Sequence, residues 1–198
     1  MEAEAIREMY VVRLEGQPAV SRAALERTAG AGLVEAVRAG DRDAFGRLYK
    51  LFSPLVHGVL LARVPVDDVD DLVQDVFLTA LDRLDSLRDT SAFGPWVAAI
   101  ARNRAMDFHR QRPRAEELTD DIPAEGSTSD AGEAARALAA IRALPEAYRE
   151  TLVLRLVEGL TGPEIAERTG LTPASVRVNL HRGMKQLRER LGLGGSEQ

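Results

Sequence analysis

The feature that most constrains this chain is a pair of helix-start signals separated by one glycine, close to the C-terminus. Thr161 followed by Glu164 is a capping box, in which each side chain accepts a hydrogen bond from the other residue's backbone N–H. Gly170 can adopt the left-handed conformation that ends a helix, and Thr172 with Pro173 opens another. The pattern predicts a short helix, a tight turn and a long helix, which is a helix-turn-helix.

The long helix of this unit has the composition of a DNA-binding helix. From Pro173 to Arg190 there are five Lys or Arg residues and one acid, Glu189. The second helix of a helix-turn-helix enters the major groove, where Arg can read guanine, Asn can read adenine and further basic residues contact phosphates. The bland alternative is a basic helix that is only solvated. The residues expected to face DNA are Ser175, Arg177, Val178, Asn179, His181, Arg182 and Lys185.

The rest of the chain is also helical in its periodicity, so the expected fold class is all-α. No strand pattern is convincing, although residues 10–14 are ambiguous. A segment rich in acidic residues, Pro, Gly and Ser divides the helices into two units and is expected to be a flexible linker. We therefore expect two small helical domains, the first with three or four helices and the second with the helix-turn-helix. The expected boundaries are an extension of unassigned role at 1–32, a first domain at 33–114, the linker at 115–133, a second domain at 134–192 and a tail at 193–198.

Composition excludes several classes of protein. The absence of cysteine rules out disulfides and thiolate metal sites. His57, His109 and His181 are scattered without metal-ligand spacing to acids, and no phosphate-binding glycine loop follows a strand, so we expect no catalytic site, metal or cofactor. Neither a signal peptide nor a membrane span is indicated, which fits a cytoplasmic protein without membrane insertion.

The middle helix of the first domain is expected to present an acidic outer face. An apolar stripe runs from Val69 to Leu84, and a helical wheel puts a different set of residues on the opposite side. This face could be a solvated helix surface or a docking surface for a basic partner, with one leucine as its apolar anchor. Its residues are Asp71, Gln74, Asp75 and Leu78.

The next helix, expected to start near Pro95 and to end at Pro113, becomes basic towards its end. Arg102, Arg104 and Arg110 are among its cations. Aromatic rings beside arginines suit single-stranded DNA, because bases can stack on the rings while phosphates meet the guanidinium groups. Phe93 and Trp96 could serve in this way or could simply pack in the core. The net charge of −5 therefore hides two basic helices in two different domains.

These residues together resemble the extracytoplasmic-function group of the sigma-70 family of RNA polymerase subunits. LVEAVRAGDRDAFGRLY from Leu33 is similar to the start of sigma domain 2, and DDVDDLVQDVFLTAL from Asp67 is similar to its polymerase-docking helix. FGPWVAAIARNRAMDFHR from Phe93 is similar to the stretch that melts and reads the minus-10 element. The sequence from Leu144 to Leu191, which contains the helix-turn-helix, is similar to sigma domain 4. All four blocks occur in the family's order, separated by a polar linker.

The resemblance implies an alternative sigma factor that binds the clamp helices and flap of core RNA polymerase and directs it to promoter DNA. The acidic face defined above would bind the clamp helices, and the recognition helix would read the minus-35 element. A minus-10 surface is implied at Leu87, Arg88, Asp89, Thr90, Trp96, Asn103, Asp107 and Arg110. An anti-sigma factor is the further partner expected. Because the linker permits compact and extended states, we expect such a partner to clamp the two domains together and to hide both DNA surfaces.

The main alternative is a helix-turn-helix regulator that binds duplex DNA without entering polymerase; an enzyme is the third class considered. A plain regulator has no need of the acidic face, so that face discriminates between the first two. The chain also departs from the family at three positions. Val178 and Asn179 stand where small polar and basic residues are common, and Gly183 replaces a common alanine at a helix cost of about 1 kcal/mol.

Overall fold

The structure is a computed structural model. It describes the backbone of residues 22–111 and 130–193 and the side chains of residues 27–111 and 132–193. The ambiguous segment 10–14, most of the linker with Pro113, and nearly all of the tail lie outside the described residues. The helices are α1 (Arg22–Arg38), α2 (Arg42–Leu61), α3 (Val69–Asp82), α4 (Phe93–Gln111), α5 (Asp130–Arg142), α6 (Glu146–Leu156), α7 (Gly162–Thr169) and α8 (Pro173–Arg190).

The all-α prediction is confirmed, because the two described parts of the chain contain helices and no strand. Helices α1 to α4 form the first domain. Asp41 caps α2 by accepting hydrogen bonds from the N–H groups of Asp43 and Ala44, as its position predicts. The apolar stripe of α3 is buried apart from Leu81, which is 40% exposed, and short 3₁₀ turns precede α3 and connect it to α4. No described helix combines the length and apolarity that crossing a membrane requires.

The structure differs from the sequence-based expectation at three helix starts. Helix α1 begins at Arg22, so the boundary set at residue 32 falls within a helix. Helix α4 begins at Phe93, two residues before Pro95, which lies in the first turn, where no intrahelical N–H bond is needed. Helix α5 begins at Asp130, inside the segment assigned to the linker. Both α1 and α5 begin in stretches rich in Ala and Gly, which carry little apolar periodicity.

The helix-turn-helix has the local geometry that its sequence predicts. The N–H of Thr161 donates to the Glu164 carboxylate over 2.7 Å, and the N–H of Glu164 donates to the Thr161 hydroxyl over 3.4 Å. Gly170 ends α7 with a φ of +77°. Thr172 caps α8 by accepting from the N–H of Ser175 over 3.1 Å. Helices α5 to α8 form the second domain around buried Leu152, Ile165 and other apolar residues.

The two domains pack directly on each other, and their buried residues form one continuous apolar cluster. Helix α2 contacts α6, and helices α1 and α4 contact α7. The domains approach each other closely at Gly58 on α2, because a Cβ built there would lie 2.7 Å from Leu154 and 2.9 Å from Glu158. We call the surface between the domains the seam.

Gly183 has a packing role that its sequence position does not reveal. A Cβ at this position would lie 3.0 Å from Leu152 Cδ1 and 3.1 Å from Tyr148 Cβ, so glycine allows α8 to approach α6 closely. Gly46 on α2 is the contrasting case, since it is exposed and a Cβ there would have no neighbour within 4 Å.

We predict that the two glycines respond differently to alanine. Gly46→Ala should raise the free energy of unfolding by about 0.5–1 kcal/mol, because alanine favours the helix and meets nothing. Gly183→Ala should give no such gain and should lose about 1 kcal/mol, because the methyl group crowds Leu152 and Tyr148. Denaturant unfolding of both variants measures the difference. Equal stabilisation by both would contradict the packing role of Gly183.

Candidate polymerase and promoter interfaces

Helix α8 presents its basic face to solvent. Its opposite side, with Val176, Met184 and Leu187, is buried in the second domain. Of the seven residues expected to face DNA, six are exposed, and Asn179 is half-buried. Val178 is 41% exposed, so the face carries an apolar group among its polar ones. The structure thus brings the predicted recognition residues together on one accessible surface.

The outer face of α3 is also accessible. Asp71 and Gln74 are exposed, and Leu78 is 60% exposed, which is a large fraction for a leucine in a packed helix. Asp75 is half-buried because its carboxylate is ion-paired with Arg104 of α4. Three of the four predicted residues are therefore available to a partner, while Asp75 is already engaged within the first domain.

The predicted minus-10 loop is held by contacts within the first domain. Arg38 of α1 donates to the backbone carbonyls of Leu84 and Leu87. Leu87 is buried as a whole residue, because its N–H donates to the carbonyl of Leu84 and its own carbonyl accepts from Arg38. Asp89 accepts hydrogen bonds from both the N–H and the hydroxyl of Ser91, and these bonds lower the pKa of its carboxyl. Arg88 remains exposed, and Thr90 is half-buried.

Some of the predicted residues of helix α4 are exposed to solvent, and others are partly or fully buried. Asn103 is exposed, and Asp107 pairs with exposed Arg110 over 2.6 Å. Phe93 is buried, whereas Trp96 is half-buried with its ring centroid 5.7 Å from that of Phe93. For Phe93 the packing alternative is therefore the correct one. Trp96 keeps an accessible edge.

A buried ionic cluster at the seam is the main feature that sequence reasoning missed. Glu150 of α6 is 6% exposed. Its carboxylate accepts two hydrogen bonds from Arg102 of α4, over 2.7 and 3.0 Å, and lies 2.7 Å from Arg63, which follows α2. Burial by itself would raise the pKa of Glu150, but the hydrogen bonds and charges of the two arginines outweigh it and hold the pKa below its usual value.

Other ion pairs cross the seam with their basic and acidic groups distributed between the domains in the same way. His57 of α2 lies 2.7 Å from Glu158, and Arg27 of α1 pairs with Glu167 of α7. In each of these pairs, the base belongs to the first domain and the acid to the second. Every partner is far away in sequence, and each looks like an ordinary charge on a helix surface, so no local pattern could have revealed the pairing.

The seam does not cover all of the DNA-facing residues. Arg102 is engaged by Glu150, and Trp96 is half-buried, but Asn103 and the front of α8 stay open. The expectation that closure hides both DNA surfaces is therefore not met by the two domains alone. The reason is that α8 packs on α6 through the side opposite to its basic face.

In the described residues, no group of three or more His, Cys, Asp or Glu is placed to hold a metal ion.

Comparisons with known proteins agree with the two-domain organisation. The family model for Sigma-70 region 2 matches residues 48–115, and the model for Sigma-70, region 4 matches residues 134–187. The RNA polymerase sigma factor CarQ of Myxococcus xanthus is 33% identical over 166 residues, which cover 80% of this chain and 95% of CarQ. The ECF RNA polymerase sigma factor SigD of Mycobacterium tuberculosis is 31% identical over 178 residues, which cover 82% of this chain and 84% of SigD.

The chain belongs to the extracytoplasmic-function group of the sigma-70 family. As a sigma factor, it binds core RNA polymerase and directs promoter-specific initiation. The solved structure of CnrH in complex with the cytosolic domain of CnrY is similar to this sigma factor, with a TM-score of 0.61 and 27% identity. The match covers 84% of this chain and 99% of CnrH. The predicted family is thus confirmed.

The ion pair between His57 and Glu158 predicts that closure of this sigma factor depends on pH. The hydrogen bond to Glu158 raises the pKa of His57, against the opposing effect of burial, and Glu158 and Asp70 add favourable charge. The stabilisation is complete below the unfolded pKa of about 6.5 and is lost as pH rises through the raised folded value.

We therefore expect the domains to separate more readily as pH rises from about 6 to 8.5. Fluorescence transfer between dyes on the two domains measures this separation. His57→Gln, which retains a hydrogen-bonding group but cannot gain a proton, should remove most of the dependence. A dependence that is the same with and without His57 would contradict the assignment to this pair.

Proposed function

We propose that this sigma factor docks on core RNA polymerase through the outer face of α3. The observation that carries the proposal is the exposed Leu78, which lies among Asp71 and Gln74 on a helix whose other side is fully packed. An exposed apolar side chain beside acidic and polar ones matches the usual make-up of a protein interface, in which an apolar anchor gives affinity and charges give orientation. The family resemblance of this helix to the clamp-binding segment supports the same role, and the flap is the proposed contact for the second domain.

Promoter DNA is the second proposed partner, bound by both domains. Helix α8 reads the minus-35 element in the major groove, with Arg177, Val178 and His181 towards the bases and Arg182 and Lys185 towards phosphates. In the first domain, Asn103, Asp107, Arg110 and the edge of Trp96 contact the minus-10 region. The loop from Leu87 to Thr90 contributes chiefly through exposed Arg88. Leu87 is buried with its carbonyl bonded to Arg38, and Asp89 is bonded to Ser91.

An anti-sigma factor is the proposed regulator. CnrH, the similar solved structure, is bound to the cytosolic domain of CnrY. The seam supports a compact state in this chain, and a partner that binds both domains at once would stabilise that state further. The protein has no catalytic role in this proposal, since it supplies specificity to the polymerase, and its place of action is the cytoplasm, where polymerase and chromosome meet.

The proposal is tested by mixing the purified chain with bacterial core RNA polymerase and carrying out run-off transcription on a pool of genomic promoter fragments. We expect co-purification with the core enzyme and new, discrete start sites. Binding to duplex DNA without any binding to core polymerase would instead identify a plain helix-turn-helix regulator.

Two variants should separate the polymerase face from the minus-35 face. Asp71→Arg with Leu78→Ala should weaken core polymerase binding and leave the affinity of the second domain for DNA unchanged. Asp71 is chosen over Asp75 because replacing Asp75 would also leave Arg104 without its ion pair. Arg177→Ala should do the reverse, at a cost of about 1–3 kcal/mol at one base position.

The control for this pair is Glu133→Arg, a charge reversal on the exposed surface of α5. The two assays are co-purification with core polymerase and fluorescence anisotropy with promoter duplex. The control variant should give wild-type results in both. Equal losses in both assays for either test variant would contradict the assignment of the two faces.

A further inference from the structure

The Glu150 carboxylate occupies a position that suits an anion in general. Arg102 donates one hydrogen bond to each of its two oxygens, and an Arg63 nitrogen lies 2.7 Å from the oxygen Oε2. Paired donation from a guanidinium group is the geometry that proteins use for both carboxylates and phosphates. Both arginines come from the first domain, so they remain together when the second domain moves away.

We infer that Arg63 and Arg102 form a phosphate-binding site for promoter DNA, which Glu150 occupies in the closed chain as a substitute for the phosphate. The inference rests on the proposed role of α4 in promoter binding and names a site outside the residues assigned to it above. Opening of the seam removes Glu150 and frees the two guanidinium groups for a phosphate of the single strand beside α4.

The position of Arg102 on α4 supports this site. Arg102 and Asn103 are neighbours, so their side chains are about 100° apart around the helix axis. A strand that contacts exposed Asn103 therefore has its backbone within reach of Arg102. Arg102 is itself half-buried by the second domain in the closed arrangement, so it cannot contribute to DNA binding until the domains separate.

The polarity of the seam supports it as well. Glu150, Glu158 and Glu167 of the second domain each meet a cation of the first. These three glutamates compete with DNA for the same basic groups, because a group that is paired with a carboxylate is not available to a phosphate. The closed state lowers the apparent affinity for DNA by the fraction of molecules that are open.

The test exploits the fact that Glu150→Gln and Arg102→Gln break the same ion pair. Each variant of the full chain is titrated against a fluorescein-labelled, single-stranded 20-mer of mixed sequence at several salt concentrations. Glu150→Gln should bind at least about fivefold more tightly than wild type, because it opens the seam and keeps both arginines. Arg102→Gln should show no gain, although it also breaks the pair. The double variant should behave like Arg102→Gln.

The salt dependence adds a second readout. The slope of log affinity against log salt becomes shallower by about 0.7 for each single-strand phosphate that the protein no longer neutralises. We expect the slope for the double variant to be shallower than the slope for Glu150→Gln by about 0.7, which corresponds to one phosphate. Glu133→Gln, a matched removal of an exposed acid on α5, should leave both affinity and slope at the wild-type values.

A further variant opens the seam without changing charge. Gly58→Leu places a side chain where even a Cβ lies within 3 Å of Leu154 and Glu158. It should separate the domains, as fluorescence transfer between them would report, and should raise the DNA affinity as Glu150→Gln does. Helical content measured by circular dichroism checks that both domains stay folded.

Two results would overturn the inference. One is an opened Gly58→Leu chain that binds the 20-mer no better than wild type. The other is an Arg102→Gln chain that gains as much affinity as Glu150→Gln. That result would mean that the ion pair holds the domains together but that Arg102 does not bind a phosphate. Either result leaves the sigma role standing if run-off transcription succeeds. Failure to bind core polymerase would remove that role without altering the comparison of these variants.

Discussion

The contact on which the closed structure depends most is the carboxylate of Glu150 between Arg63 and Arg102. Removing an ion from water costs several kcal/mol, and a buried pair offsets this only when its geometry is good and its hydrogen bonds are complete. Here one carboxylate receives two bonds from Arg102 and the charge of Arg63. Loss of one partner from such a pair typically costs about 3–5 kcal/mol, because the remaining charge is left buried without compensation.

Charge is distributed across the seam according to domain. In the ion pairs, the first domain supplies the basic groups and the second supplies the acids, with His57 and Arg27 repeating the pattern around the central cluster. Arg142 of the second domain also crosses the seam, but it donates to the backbone carbonyls of Leu61 and Val64. A DNA-binding protein needs cations, and a surface that covers them must carry the opposite sign. The same basic groups can therefore serve closure in one state and nucleic acid in the other, while the fronts of α3 and α8 stay accessible throughout.

Local chemistry predicted much of the fold correctly. The Asp41 cap, the capping box at Thr161 and Glu164, and the left-handed Gly170 all depend on neighbours within a few residues. Two of the three helix starts that were missed, those of α1 and α5, lie in Ala- and Gly-rich stretches where no apolar stripe marks the helix. Further along α1, close packing of small residues takes the place of such a stripe. Gly30 illustrates this, because a Cβ there would lie 3.1 Å from the ring of Phe52, a residue of another helix.

The sequence alone determined the helix-turn-helix and the exposed faces of α3 and α8, because each follows from spacing along one segment. It also determined the all-α class and the family, which follow from the order of such patterns along the chain. Only the tertiary structure decided that Leu87 is buried, that Asp75 is ion-paired with Arg104 and that Leu152 and Tyr148 pack closely against Gly183. The seam is of the second kind too. Glu150 and Arg102 look like ordinary surface charges of separate helices, and long-range packing alone brings them within 2.7 Å.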